Sequence, residues 1–113
     1  MQTNTGKYYT MKRNDIVKMV FEKIERLYVV ISPEEMNTSL NTVIICPLIT
    51  NKRNLPTQIL IRSNIKSGLS NDCYLALDQI TFINKSDINL VIGEISDAEA
   101  ERIALVLQEM FAL

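Results

Sequence analysis

Two polar groups stand against apolar surroundings in this chain. Asp78-Gln79 interrupts the run CYLALDQITFI at 73–83, and a polar pair inside an apolar strand needs hydrogen-bond partners. Asn51 to Asn54 (NKRN) form a basic turn through Lys52 and Arg53, which reads first as a solvated surface turn. The chain has no histidine, which excludes Ser-His-Asp triads, Cys-His pairs, histidine-zinc sites and a histidine general base. Only three glycines occur, Gly6, Gly68 and Gly93, too few for a Gly-rich phosphate loop or a dinucleotide fingerprint. Cys46 and Cys73 stand alone in apolar runs without C-x-x-C spacing, as buried thiols of a cytosolic protein do.

At 113 residues with 47% hydrophobic content, the sequence predicts one domain with one core, small enough to gain from burial in a homodimer. Twelve Lys and Arg oppose 13 Asp and Glu, so net charge draws no nucleic acid to the protein, and RNA binding would need a local basic patch. The apolar stretches are far short of a membrane span and the N-terminus lacks a signal-peptide core, so a soluble, cytoplasmic protein with no membrane contact is expected.

The elements that must position these residues follow from hydrophobic periodicity. Residues 1–10 are polar and aperiodic and read as a loosely held tail, with Tyr8 and Tyr9 available to dock on the body; the domain spans 11–113. Asp15 to Phe21 and Arg26 to Ile31 form an antiparallel hairpin around the charged Glu22 to Glu25. Ser32-Pro33-Glu34-Glu35 predicts a capping box and one helical turn ending near Asn37. Thr42 to Ile49 (TVIICPLI) predicts a strand buried on both faces, with Pro47 requiring an edge or a bulge. Strands follow at Thr57 to Arg62, at Cys73 to Ile83 and at Leu90 to Ile95, with a polar loop from Ser63 to Asp72. Ser96-Asp97-Ala98-Glu99 is a capping box opening a final helix. Its face of Ala100, Ile103, Ala104, Leu107, Met110 and Phe111 packs on the sheet, and Leu105, Val106, Ala112 and Leu113 widen the apolar arc toward a partner subunit.

Read in order, these pieces resemble the MazF/PemK toxin family. Met11-Lys12-Arg13-Asn14-Asp15-Ile16-Val17 resembles the family's MKRGDIV opening, with Asn14 for glycine, the next best residue for a left-handed position. Residues 26–33 (RLYVVISP) resemble RPAVVISP, and Asn37 and Ser39-Leu40 continue the pattern. Leu55-Pro56, Leu77-Asp78-Gln79-Ile80, Lys85-Ser86, Ile92-Gly93 and Ser96-Asp97 fall in the family's order and spacing, so the likeness runs from Met11 to the C-terminus. It implies an α+β, CcdB/MazF-like fold, a curved antiparallel sheet of SH3-like barrel type closed by a C-terminal helix.

The resemblance also implies chemistry. Family members cleave single-stranded RNA without a metal or other cofactor, the 2′-hydroxyl attacking the adjacent phosphate to leave a cyclic phosphate and a free 5′-hydroxyl. This needs proton transfer at both oxygens and a cation for the phosphorane. Arg26 stands at the family's catalytic arginine, unless it only snorkels or pairs with Glu22 or Glu25. Ile49 stands where the family has a catalytic threonine, and Thr50, otherwise an ordinary turn residue, replaces it if a bulge shifts the strand by one residue. Lys18, Lys23, Lys52 and Arg53 are the remaining cations near the expected RNA groove; Asp78-Gln79 contributes to RNA contacts, with Gln79 either reading a base edge or knitting the sheet.

Beside the missing threonine at position 49, the shortened loop weighs against catalysis, and lost basic residues weaken phosphate binding. The loop after Phe21 is shortened to Glu22-Lys23-Ile24-Glu25, family arginines give way to Thr81 and Asp87, and a family aspartate gives way to Asn84. Retained Arg26 and Asp78-Gln79 favour cleavage, and the expected function is a toxin of a toxin–antitoxin module acting as an endoribonuclease (an mRNA interferase) on single-stranded RNA and bound by an antitoxin protein. The alternative is a binding module that has lost cleavage and binds an antitoxin or poisons another protein, as the CcdB group does with DNA gyrase. A dimeric scaffold with an empty groove is the third reading.

Overall fold

The computed structural model describes residues 11–112, so the expected tail at 1–10 with Tyr8 and Tyr9, and Leu113, lie outside the described residues. Seven strands form one antiparallel sheet: β1 (Asp15–Phe21), β2 (Ile24–Val30), β3 (Thr42–Ile49), β4 (Gln58–Ile61), β5 (Cys73–Ala76), β6 (Thr81–Asn84) and β7 (Leu90–Glu94). Their order is β4-β5-β3-β2-β1-β7, with β6 also on β3. Two helices, α1 (Glu34–Ser39) and α2 (Asp97–Met110), complete the domain, and among the described residues no helix is long and apolar enough to cross a membrane.

The two-residue turn Glu22-Lys23 sets the β1–β2 register, with φ of 51° and 68°. Two left-handed residues give the turn the twist that an antiparallel hairpin needs, although neither is glycine or asparagine. Phe21 therefore faces Ile24, Met19 faces Arg26 and Val17 faces Tyr28. Asn14 takes a φ of 80°, the left-handed position expected of it.

β3 is buried on both faces because each face meets its own core. Cys46 joins the larger cluster with Ile16, Val29, Ile59, Leu75 and Ile103, while Val43 and Ile45 join Met11, Val17 and Val30 on the other side. Pro47 sits at a local edge inside β3, without a bulge. The β2–β3 register runs unbroken from Leu27–Leu48 to Val30–Ile45, and on its other side β3 pairs β6 through 42–45 and β5 through 48–49. Pro47 falls in the interval between those two partners, where a missing N–H is tolerated.

The strand expected over Cys73 to Ile83 is broken by a 3₁₀ turn at Leu77–Gln79. Leu77 is buried while Asp78 and Gln79 are exposed, so the polar pair is satisfied by leaving the sheet. Gln79 is thus not a buried strand amide.

The first capping box is also corrected: α1 begins after Pro33 and has no side-chain cap. Ser32 is buried, donates through Oγ to Asn37 Oδ1 and accepts from Ile44 N at 3.0 Å. Asn37, 1% exposed, donates to Met11 O at 2.7 Å and Ser32 O at 3.0 Å. This side chain ties α1 to the chain entering β1, and cutting it leaves buried carbonyls without donors. Asn37→Ala is expected to lower stability by about 2 kcal/mol, read as an earlier urea midpoint with unchanged slope.

The second capping box forms as expected, with Glu99 N donating to Ser96 Oγ at 3.1 Å and Ser96 N to Glu99 Oε1 at 2.9 Å. The other Glu99 oxygen accepts from Arg62 N at 2.8 Å, fastening α2 to the end of β4. Ile103 is buried and Ala100, Val106, Leu107 and Met110 pack around it. Ala104 and Phe111, expected on this face, are exposed, since the contact arc centres on Ile103 and Leu107 and takes in Val106.

Candidate functional site

Strand register decides which residues can act together, because paired residues share a face and neighbours along a strand do not. Leu27 pairs Leu48, which pairs Leu75, and all three belong to the large core or pack on it. One position along, Ile49 of β3 pairs Tyr74 of β5, which in turn faces Leu60 of β4, and alternation puts Arg26, the residue before Leu27 in β2, on that same opposite face just past the last β2–β3 pair. Met19, opposite Arg26, and the next pair, Phe21 and Ile24, continue that face. Phe21 is 73% and Ile24 55% exposed, leaving an apolar shelf open to water beside the Arg26 guanidinium.

Arg26 is exposed and, among the described residues, has no hydrogen-bond or ion-pair partner. The competing expectation was a pair with Glu22 or Glu25, but Glu25 binds Lys18 Nζ at 3.2 Å. Lys18 pairs Leu27 across the hairpin and so lies on the other face from Arg26, apart from the group expected to meet RNA. Lys23 sits exposed in the turn beyond Phe21 and Ile24.

The segment after β3 forms a second group. Thr50 is exposed in the bend that ends β3, and no register shift in β3 turns it toward Arg26. Ile49 holds that place. Lys52 is exposed, while Arg53 Nη2 lies 3.3 Å from both Asp78 oxygens. Thr57 Oγ1 also donates to Asp78 at 3.3 Å, and Gln58 accepts from Arg53 N at 2.7 Å while donating to Asn51 O at 2.8 Å. Asp78 therefore anchors the 50–57 loop to the 3₁₀ turn and offsets the Arg53 charge. The Gln79 side chain, exposed in the same turn, has no hydrogen-bond partner among the described residues.

Both cysteines are free and buried, as expected. Burial, and secondarily the nearby Asp78 charge, pushes the Cys46 thiol up to about 12 from an ordinary 9.0. Burial first and Asp72 second also raise Cys73. Both remain protonated thiols at neutral pH and are poor nucleophiles. The folded chain holds the Cys46 proton where the unfolded chain has lost it, so this contribution is complete below about pH 9 and is lost as pH rises toward about 12. Urea midpoints measured across that window should fall more steeply for wild type than for Cys46→Ala.

Tyr74 and the exposed Phe21–Ile24 shelf are the features that the sequence reading missed. Alternation within CYLA could have shown that Tyr74 faces away from Cys73 and Leu75, but not that β5 would lie against Ile49.

Residues 12–111 match the family described as PemK-like, MazF-like toxin of type II toxin-antitoxin system. No curated protein matches the chain. Among solved structures, an endoribonuclease in complex with its cognate antitoxin from a Mycobacterial species superposes with a TM-score of 0.77 at 19% identity, covering 91% of this chain and 96% of that one. The Mycobacterium tuberculosis toxin MazF-mt6 gives 0.75 at 21% identity, over 88% and 97%. A MazE–MazF structure from Deinococcus radiodurans gives 0.77 at 15% identity, over 93% and 98%. At these identities the likeness shows the fold, a curled antiparallel half-barrel with a C-terminal helix, and the match over 12–111 places the chain in the PemK/MazF-like family of toxins from type II toxin–antitoxin systems.

Proposed function

We propose that this chain is a metal-independent endoribonuclease that cuts single-stranded RNA in the cytoplasm, acts as a homodimer and is restrained by an antitoxin protein. The observation that carries the reading is Arg26, exposed on a sheet face and without an ion-pair partner among the described residues. Its planar fork can grip two phosphate oxygens and stay charged as the phosphorane gains negative charge. Phe21 and Ile24 beside it offer bases an apolar surface to stack on, and Lys23 and Lys52 add free positive charge for the backbone. Thr50, exposed at the end of β3, supplies a hydroxyl to a phosphate oxygen, while Gln79 is free to meet a base edge. Lys18 and Arg53 bind RNA more weakly in this reading, because each already has a carboxylate; Asp78 acts through the loop it anchors.

Support for the partners is of two kinds. Two of the similar structures are toxins with an antitoxin bound. Leu105 on α2 and Phe111 at its C-cap leave 60% and 62% of their surface exposed, apolar area that a second subunit would cover.

A second reading has its own observation: Ile49 fills the place beside Arg26 with a side chain that cannot transfer a proton. This favours a MazF-fold binding module that engages an antitoxin or another protein without cutting RNA. Incubation with a long single-stranded RNA in EDTA separates the two. Cuts recurring at a short motif support the nuclease; intact RNA over a wide range of protein concentration supports the binding module.

A further inference from the structure

The reaction needs a group to protonate the departing 5′-oxygen, and the register offers one that Ile49 does not. Tyr74 pairs directly with Ile49, so its ring projects from the same face as Arg26. Arg26 and Tyr74 thus stand on the two strands flanking β3, each one residue beyond the Leu27–Leu48–Leu75 row, so two strand spacings, about 10 Å, separate their strands. Both side chains are long enough to reach over Ile49 toward one phosphodiester between them. Tyr74 is half-buried, and its hydroxyl has no hydrogen-bond partner among the described residues. No protein group among the described residues competes with a ligand for that hydroxyl. Ile49 between them presents no competing donor or acceptor.

Resting on the nuclease reading, we propose that Tyr74 is the general acid of the RNA cleavage, doing from the neighbouring strand what position 49 cannot. As the 2′-oxygen bonds to phosphorus, its proton passes to water. The bond from phosphorus to the 5′-oxygen breaks, and that oxygen takes the phenolic proton of Tyr74. Arg26 offsets the charge on the phosphoryl oxygens and then on the phenolate, which recovers a proton from water. The products are a 2′,3′-cyclic phosphate and a 5′-hydroxyl, with no proton or electron left over.

The test compares Tyr74→Phe with wild type in EDTA on an RNA oligonucleotide carrying one mapped cut site. A matched oligonucleotide has sulfur in place of the bridging 5′-oxygen. Tyr74→Phe keeps the ring, and coincident thermal melts confirm that the fold is retained. With oxygen at the bridge, the variant should cut about 100-fold more slowly or worse, the usual size of a general-acid contribution. With sulfur, which leaves without a proton, variant and wild type should cut at the same rate. An undiminished rate on the oxygen substrate would overturn the assignment, as would an equal loss on both substrates, which would mean that the phenol only positions RNA. Rescue by sulfur of Thr50→Val but not of Tyr74→Phe would move the role to Thr50. If wild type leaves both oligonucleotides intact, the nuclease reading itself fails and Tyr74 falls with it; in each other case wild type cuts and only the acid is in question.

Discussion

Arg26→Ala should reduce RNA cleavage about 1,000-fold while leaving the melting temperature unchanged, because Arg26 is exposed and bonds nothing among the described residues. The loss belongs to the transition state, where the phosphoryl oxygens carry more charge than in the bound RNA, so it should fall on kcat more than on KM. Arg26→Lys is the informative companion. It keeps the charge but not the fork, and a partial recovery of rate would show that both matter. Single-turnover rates on an oligonucleotide with one mapped site read both variants. An Arg26→Ala protein that cuts at the wild-type rate would leave the site without its cation.

Gly93→Ala should cost about 3 kcal/mol of stability, the upper part of the range for forcing a group into packed structure. A Cβ at this position would lie 2.3 Å from Ser67 O and 2.4 Å from Lys66 O, both backbone atoms that no rotamer change can move aside. The 63–72 loop would have to lift off β7, breaking the bond from Glu94 N to Lys66 O at 3.0 Å and drawing buried Leu69 from its cluster. Gly68 is locked into the same contact, with a φ of +71° and its own Cβ direction aimed at Ile92 O. The urea midpoint should fall with little change in slope. A variant as stable as wild type would mean that the loop is free to shift, against the close backbone packing described here.

How much of this was legible beforehand depended on range. The Ser96–Glu99 box and the left-handed Asn14 are local, set by residues within one turn, and the sequence predicts them correctly. The β1 strand and the apolar β3 were equally clear from pattern. Ser32 misled because its hydroxyl has a better use at long range, holding Ile44 N and Asn37, than capping a helix of six residues. Asp78-Gln79 misled because period-2 patterning reads a strand through a short break, whereas two polar side chains are satisfied at less cost in an exposed turn. Lys18 could be separated from Arg26 only once the two-residue turn fixed Phe21 against Ile24, and a slip of one residue would have reversed the result. The placement of Tyr74 beside Ile49 joins segments 25 positions apart, a pairing that no local signal specifies. Arg26 itself was legible only through the family likeness; the structure adds that no carboxylate among the described residues pairs with it.

Attack of the 2′-hydroxyl on the adjacent phosphate leaves ends that hydrolysis by water does not. The most direct measurement is the chemistry of the ends left on single-stranded RNA after incubation with the purified protein in EDTA. The fragments should have 5′ ends that accept phosphate from a polynucleotide kinase without prior dephosphorylation, and 3′ ends that carry a cyclic phosphate. Fragments bearing 5′-phosphates, or RNA that remains intact at every protein concentration, would contradict this chemistry.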